Sequence, residues 1–449
     1  MDDQLNQDTT VIQRRSIAWV RPSWLLGGAA SLLGVICLTV GLDGQRGGVF
    51  RESRDHPAIR YTDGTTTDEV TRLAESLEAG TTTLDFTERT GYLSALLQAL
   101  KIPIESQVTV FSDTSFQADQ IDPENPRAIY FNDTVAVGWV RGTDVLEIAA
   151  LDPTQGVLFF SLPQEPSAPP EITRTEVCLA CHLSWDTLGV PGLMTINTLP
   201  MPDDPNAYAV GWTTDHRTPL AERWGSWYVT GAPEAIRHLG NSTEPIDYVP
   251  GDVPPAPPVL DTLDGLFDLD GFLTPYSDIV ALMVLEHRNH MSNLLVRIGW
   301  EARVLAHQAG AARSGDSGID LEDTAEELVD YLLFVDEAPL PVPITGGSGY
   351  AERYSALGPF DSQDRSLHQL DLKQRLLKYP ASPLIYAEAF DALPAPARDA
   401  IYRRMWTVLS GAAPEPRYQR LSRDNRQAIV EILRDTKPGL PEYFGGTVG

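Results

Sequence analysis

Five short segments rich in valine, isoleucine and aromatic residues follow one another between residues 107 and 162. They read QVTVFSD, AIYFND, VAVGWV, VLEIAALD and GVLFFSL, and Asn, Asp, Gly and Pro residues separate them. Runs of this composition, bounded by turn residues, are typical of β-strands. We therefore predict an antiparallel meander with DPTQG as one hairpin connection. Two later segments, AYAVGWTTD and RWGSWYVTG, predict further β-structure.

The pattern becomes helical from about residue 261 onwards. Ser277 is predicted to cap a long helix that runs to about His307. A second helical stripe comprises Leu321, Ala325, Leu328, Leu332 and Val335. The segments LHQLDLKQRLL, PAPARDAIYRRMWTVLSG and LSRDNRQAIVEILRD predict three more helices. Two short helices are also predicted before the strands, one starting near Asp68 and one around GYLSALLQAL.

Strands that precede helices in this way predict an α+β fold. We expect an antiparallel β-meander region around a CxxCH motif at residues 178–182, followed by a mostly α-helical C-terminal part. Four regions are predicted. They are an N-terminal tail with a signal-anchor helix (1–45), a tether with short helices (46–105), a β-rich region (106–258) and a helical region (259–449).

The segment WLLGGAASLLGVICLTVGL, residues 24–42, contains no charged residue. As a helix it would reach roughly 28 Å, which is close to the hydrocarbon thickness of a bilayer. We predict an uncleaved signal-anchor, because Thr39-Val40-Gly41 is only a weak cleavage site; a cleaved signal peptide is one alternative. A buried core helix is the other, although such helices usually show a polar face. Arginines flank the segment evenly, so the basic residues alone do not orient it.

The composition excludes some classes of binding partner and a fold built from disulfides. The 449-residue chain has a formal net charge of −28, which argues against binding to nucleic acid or to anionic lipid surfaces. Its three cysteines exclude a scaffold built from disulfides. Two of the three, Cys178 and Cys181, lie together in the segment EVCLACHLSW.

Cys178, Cys181 and His182 form a C-x-x-C-H motif, which is the attachment signature of c-type haem. Two thiols about one helical turn apart suit the two vinyl groups at one porphyrin edge, and the following histidine is carried under the iron as a ligand. Two other kinds of site use similar residues. A redox dithiol would begin a longer helix, which the Gly and Pro of LSWDTLGVPG disfavour. A zinc site would recruit His287 and His290 and leave His182 unexplained.

The chain resembles a group of large bacterial monohaem proteins that contain a cytochrome-c domain. The resemblance runs from about Gln107 to Phe444, through AIYFNDTVAVGWV, CLACH, DHRTPLAERWGSWYVTG, SDIVALMVLEHRNHMSNLL and KPGLPEYF. It implies one covalent haem c on Cys178 and Cys181, with His182 as an iron ligand. Because c-type haem is attached outside the cytoplasm, it also implies a single-pass anchor in the cell membrane with the body in the periplasm or otherwise outside the cytoplasm.

The sixth iron ligand is predicted to be His287. In the predicted helix it interrupts one apolar stripe, formed by Val280, Val284, Met291, Leu294 and Ile298. A buried imidazole needs a partner, and a core histidine bonded to a backbone carbonyl is the competing interpretation. Further candidates are Met194, Met201, His216 and His290, or an open position.

Two classes of haem protein fit this motif. The favoured one is a membrane-anchored cytochrome that passes single electrons to a redox partner protein, which the acidic surface predicts to be basic. The other is a peroxidase-like enzyme or a haem sensor with an open or displaceable sixth position. The body of about 400 residues is large for a simple electron shuttle, but no second haem motif is present.

Overall fold

The predicted meander forms most of one antiparallel sheet. The structure, a computed structural model, describes residues 48–449 apart from 113, 167–168, 200–210, 245, 247, 249–250 and 311–317. The strands in this part of the chain are β1 Val108–Val110, β2 Arg127–Phe131, β3 Val135–Trp139, β4 Val145–Asp152, β5 Gly156–Pro163, β6 Thr173–Arg174, β7 Thr195–Asn197, β8 Trp212–Thr214 and β9 Trp227–Tyr228. Seven of them pair in the order β6-β5-β4-β3-β2-β1-β9, and β7 pairs with β8. All of these pairs are antiparallel.

Helices flank the sheet in sequence and supply most of the C-terminal part. They are α1 Glu69–Glu78, α2 Leu93–Ala99, α3 Leu179–His182, α4 Ile279–Gly310, α5 Leu321–Leu332, α6 Tyr350–Ser355, α7 Glu388–Asp391, α8 Ala395–Leu409 and α9 Arg423–Thr436. The prediction of an α+β fold, with an antiparallel sheet region and a helical C-terminal part, is confirmed.

The two faces of the sheet differ in the size of their side chains. Because side chains alternate along a strand, Leu146 and Ile148 face one side of β4 while Ala149 faces the other. The first face packs in one core with residues of α1 and α2. The second face presents the small residues Ala136, Gly138 and Ala149 on neighbouring strands. This second face therefore leaves space above the sheet.

The 32-residue helix α4 is buried along most of its length. It contacts β5 and β7 on one side and α5 and α8 on the other. A helix that is surrounded in this way is usually apolar around most of its circumference, whereas α4 also buries charged and polar side chains such as Glu286 and Arg297. Its buried polar side chains are therefore unusual positions, and two of them, Asn289 and Asn293, face the sheet side.

Side chains from the predicted regions 46–105, 106–258 and 259–449 share one hydrophobic core. Leu93, Ile148 and Trp300, one from each region, belong to the same cluster of buried residues. A second cluster joins Leu294 of α4 to α5, α8 and α9. The β-rich and helical parts consequently pack around α4.

Two sequence-based expectations were wrong. The segment LHQLDLKQRLL is not helical; it folds back on itself, with Leu370 bridging to Leu377 and a turn at Leu372, where φ is 54°. Four of its five leucines are buried as loop residues and Leu370 is partly buried, so their spacing reflected burial rather than a helical period. Ser277 does not cap α4, because its hydroxyl donates to the Tyr228 carbonyl, and Asp278 accepts the first helical N–H groups instead.

The predicted anchor at residues 24–42 lies outside the described residues. Among the described residues, no helix is both long enough and apolar enough to cross a membrane.

Candidate cofactor site

One turn of helix places the three residues of the CxxCH motif on the same side of the chain. The carbonyl oxygen of Cys178 accepts the backbone N–H of Cys181 at 3.2 Å and that of His182 at 2.9 Å. The turn ends at Leu183, whose φ of −135° leaves the helical region. All three motif side chains line one cavity.

The cavity lies over the face of the sheet that carries small residues. It has a volume of about 370 Å³, which is within the range of roughly 300–1,000 Å³ typical of cofactor and small-molecule sites. Its floor includes the small residue pair Ala136 and Ala149, and Gly138 opposite Ile129. Its remaining apolar wall includes Phe159, Leu193, Ile196, Trp227 and Leu285.

The ring of His182 is held by a reciprocal pair of hydrogen bonds to one residue. Its Nδ1 lies 2.9 Å from the carbonyl oxygen of Gly192, and the Gly192 N–H donates to the His182 carbonyl at 3.0 Å. A carbonyl oxygen can only accept, so Nδ1 carries the proton in the neutral ring. Burial lowers the pKa of His182, which favours that neutral form. The Nε2 lone pair then remains available toward the cavity, where the Phe159 ring lies 5.0 Å from the imidazole.

The two thiols are free and half-buried. Burial raises the pKa of Cys178 to about 11, and the nearby Glu147 carboxylate adds to the increase. A redox dithiol needs a lowered thiol pKa to form the reactive thiolate. The environment of Cys178 therefore does not suit a redox dithiol.

One ion pair lies inside the cavity wall. The Arg127 guanidinium contacts the Glu147 carboxylate at 2.6 Å, and both side chains are about three-quarters buried. Arg127 extends across Gly138, since a Cβ at that glycine would lie 2.5 Å from an Arg127 nitrogen. The pair thus covers the sheet beside the cysteines, and its two opposite charges add no net charge there.

His287 does not line this cavity. It is buried in the helical core, where its Nδ1 lies 2.8 Å from His216 Nδ1 and its Nε2 lies 2.8 Å from Ser382 Oγ. His290 Nε2 contacts Arg217 at 3.2 Å. With both ring nitrogens bonded, His287 is a satisfied core histidine, although its partners are side chains and not the backbone carbonyl of the competing interpretation.

Met194 is the sixth-ligand candidate that the structure brings to the cavity, where it shares the wall with His182. Met201 lies outside the described residues. The zinc set of Cys178, Cys181, His287 and His290 is not assembled, because the described part of the chain contains no group of three or more His, Cys, Asp or Glu residues able to hold a metal ion.

Several residues of the site carried no recognised signal in the sequence. Gly192, Asn289 and Asn293 hold or contact the wall that carries His182, and Arg127 with Glu147 lies on the sheet. The two asparagines are spaced i and i+4 within an apolar helix. Together with His287 in the apolar stripe, this spacing could have predicted that the helix has a polar face.

Comparison with known proteins identified no relatives: no family model matches the chain, and no similar curated protein or solved structure was found. The resemblance to monohaem proteins remains a prediction.

Proposed function

We propose that this protein is a c-type cytochrome with one haem, attached through Cys178 and Cys181 and ligated by His182. The observation that carries the proposal is the arrangement of these three side chains on one helical turn, facing a single, largely apolar cavity. The free Nε2 of His182 and the small residues Ala136 and Ala149 of the floor suit a haem group. Haem bound there supplies one-electron redox chemistry.

The residues of the chain have three separate roles in this proposal. The thiols of Cys178 and Cys181 form the covalent links, His182 presents Nε2, and the apolar wall excludes water. Such burial and the choice of axial ligands are the principal means by which a protein sets a haem potential. Met194 would supply the second protein ligand to the iron, because it lines the same cavity.

Exposed apolar side chains near the motif support electron exchange with a partner protein. Phe116, which lines the cavity, is 60% exposed, Val177 beside Cys178 is 54% exposed, and Trp185 is 74% exposed. Exposed aromatic residues of this kind often anchor protein interfaces. Together with the net charge of −28, they favour a basic redox partner, and the apolar segment at residues 24–42 favours attachment to a membrane.

A haem enzyme or sensor is the second candidate function. The polar groups of Asn289, Arg127 and Glu147 in the cavity wall favour it, because they could hydrogen-bond to a small ligand at an open sixth position. Carbon monoxide separates the two functions. A six-coordinate electron-transfer site excludes this gas from the reduced protein, whereas an open site binds it.

The test of covalent haem is production of the full chain together with a haem-attachment system. The purified protein should retain haem after acid-acetone extraction and give the pyridine haemochrome of two thioethers. The double variant Cys178→Ser/Cys181→Ser is the matched control and should lose haem on extraction. A colourless wild-type protein that holds stoichiometric zinc after correct maturation would refute the proposal.

A further inference from the structure

One buried asparagine of helix α4 hydrogen-bonds to the backbone close to His182. Asn293 Oδ1 accepts the N–H of Leu193 at 3.0 Å, and Asn293 Nδ2 donates to the carbonyl of Leu193 at 2.7 Å. The Leu193 backbone N–H must donate and its carbonyl must accept, so this geometry also fixes which way the amide points. The side chain of Asn293 thus replaces the backbone partner that Leu193 would have in a sheet.

Leu193 directly follows Gly192, the residue that is bonded twice to His182. Two residues after Leu193, Thr195 Oγ1 accepts a hydrogen bond from Asn289 Nδ2 at 3.2 Å. The two asparagines, one helical turn apart, therefore hold both ends of the short segment that contains Met194. The acceptor for His182, the Gly192 carbonyl, directly precedes this segment, and the cavity-lining Met194 lies in its middle.

We propose that Asn293 is a positioning residue for His182: by clamping Leu193, it holds the Gly192 carbonyl against His182 Nδ1 and so fixes the ring orientation and the proton position. The inference rests on the proposed function only for the role of His182 toward iron. A hydrogen bond to the remote ring nitrogen of a ligating histidine orients the ring and raises its basicity. Asn293 supplies the rigid support for that bond from a helix far away in sequence.

Close packing around Gly192 supports a direct mechanical link. A Cβ at position 192 would lie 2.2 Å from Asn293 Oδ1, a distance that forces one of the two groups to move. The glycine therefore allows the amide to approach the backbone, and the approach leaves little freedom for the carbonyl. Asn293 is also buried, so water does not compete for its amide.

The test compares Asn293→Ala with Ser292→Ala in the full chain. Ser292 is the neighbouring buried residue, and its hydroxyl donates to Arg288 within the same helix, so it is a matched control for the removal of a buried polar group. The first readout is the ring tautomer of His182, measured by ¹⁵N chemical shifts in haem-free protein. Loss of support for one hydrogen bond should shift the tautomer ratio by roughly 2–10-fold in Asn293→Ala, and Ser292→Ala should leave it unchanged.

The second readout is the reduction potential of haem-loaded protein. A less basic His182 stabilises the oxidised iron less, so the potential of Asn293→Ala should rise while that of Ser292→Ala stays at the wild-type value. If the wild type carries no haem, the proposed function fails, and the tautomer measurement still decides the positioning role. Unchanged tautomer and potential in a folded Asn293→Ala protein would overturn the inference.

Asn293→Asp is a second test variant, to be used in case Asn293→Ala does not fold. It keeps the size of the side chain and the acceptor for the Leu193 N–H but removes the donor to the Leu193 carbonyl, so the tautomer ratio should shift in the same direction. Gly192→Ala gives an independent check. Its effect on the tautomer should be non-additive with that of Asn293→Ala, because the methyl group and the amide compete for one space; additive effects would contradict a direct link.

Discussion

The Nδ1 atoms of His216 and His287 lie 2.8 Å apart in the helical core. Only one of the two nitrogens can carry the proton of this hydrogen bond, so the pair is stable with both rings neutral. The Tyr331 and Phe334 rings stack on His216, with ring centroids 4.0 and 4.3 Å from its own. His287 completes its bonding with Ser382. This histidine pair is a structural feature of the core.

The first prediction concerns stability in acid. Burial lowers the pKa of His287 to about 3 and that of His290 to about 4, and it holds the pKa of His216 well below its usual range. In the unfolded chain these rings titrate near pH 6.5, so below that pH the unfolded state binds more protons. The free energy of unfolding should therefore fall as the pH decreases from 6.5 toward 4, by up to about 1.4 kcal/mol per pH unit for each histidine.

Denaturant titrations across this pH range measure the effect. Glu337 opposes it, because burial raises the pKa of its carboxyl to about 7 and its protonation favours the folded state. The comparison of wild type with His287→Asn removes this common contribution. The variant should be less stable at pH 7 and should have a shallower dependence on pH; an equal slope would show that His287 does not titrate on unfolding.

The second prediction separates the two candidates for the sixth ligand. His287→Asn should leave the optical spectrum and the carbon monoxide affinity of the haem-loaded protein unchanged while lowering the free energy of unfolding by about 1–3 kcal/mol, because His216 and Ser382 lose a buried partner. Met194→Leu should keep the haem attached, alter the spectrum and open the reduced iron to carbon monoxide. The reverse pattern would reinstate His287 as the ligand.

The third prediction tests the cavity floor. Ala136 is paired with Ala149 on the face below the cavity. Ala136→Leu should fill this space and sharply reduce the haem content per protein, at a cost of no more than about 1–3 kcal/mol in stability. Ala136→Ser keeps the volume small and should retain haem. The measurement is the haem content per protein by pyridine haemochrome. A full haem complement in Ala136→Leu would show that the cofactor does not bind above Ala136.

The fourth prediction concerns the partner surface. Trp185→Ser should leave the haem spectrum and the stability unchanged and raise the Kd for a basic redox partner roughly tenfold or more, as for a central interface aromatic. Phe360→Ser, a 44% exposed aromatic residue in the helical part, is the control and should have no effect. Stopped-flow electron transfer with a basic single-haem cytochrome measures both variants. The rates should also fall with rising salt, since screening weakens the attraction between opposite charges.

The local pattern of the sequence was sufficient for most of the strands and helices and for the motif. β2 to β5 pair in sequence order because each strand is joined to the next by a short turn. Asp68 caps α1 through its carboxylate, as the helix-start signal indicates. The spacing of Cys178, Cys181 and His182 also determines their position on a single helical turn. These features depend on contacts between residues close in sequence.

Only the tertiary structure decided which distant groups meet. The apolar stripe of α4 placed His287 on a buried face, but that face packs against α5 and Ser382, while the cavity lies beside Leu285 and Asn289. The Gly192 carbonyl reaches His182 through a loop whose course is held by Asn293. Periodicity specifies that a face is buried, but the partner of that face is selected by the packing of the whole chain.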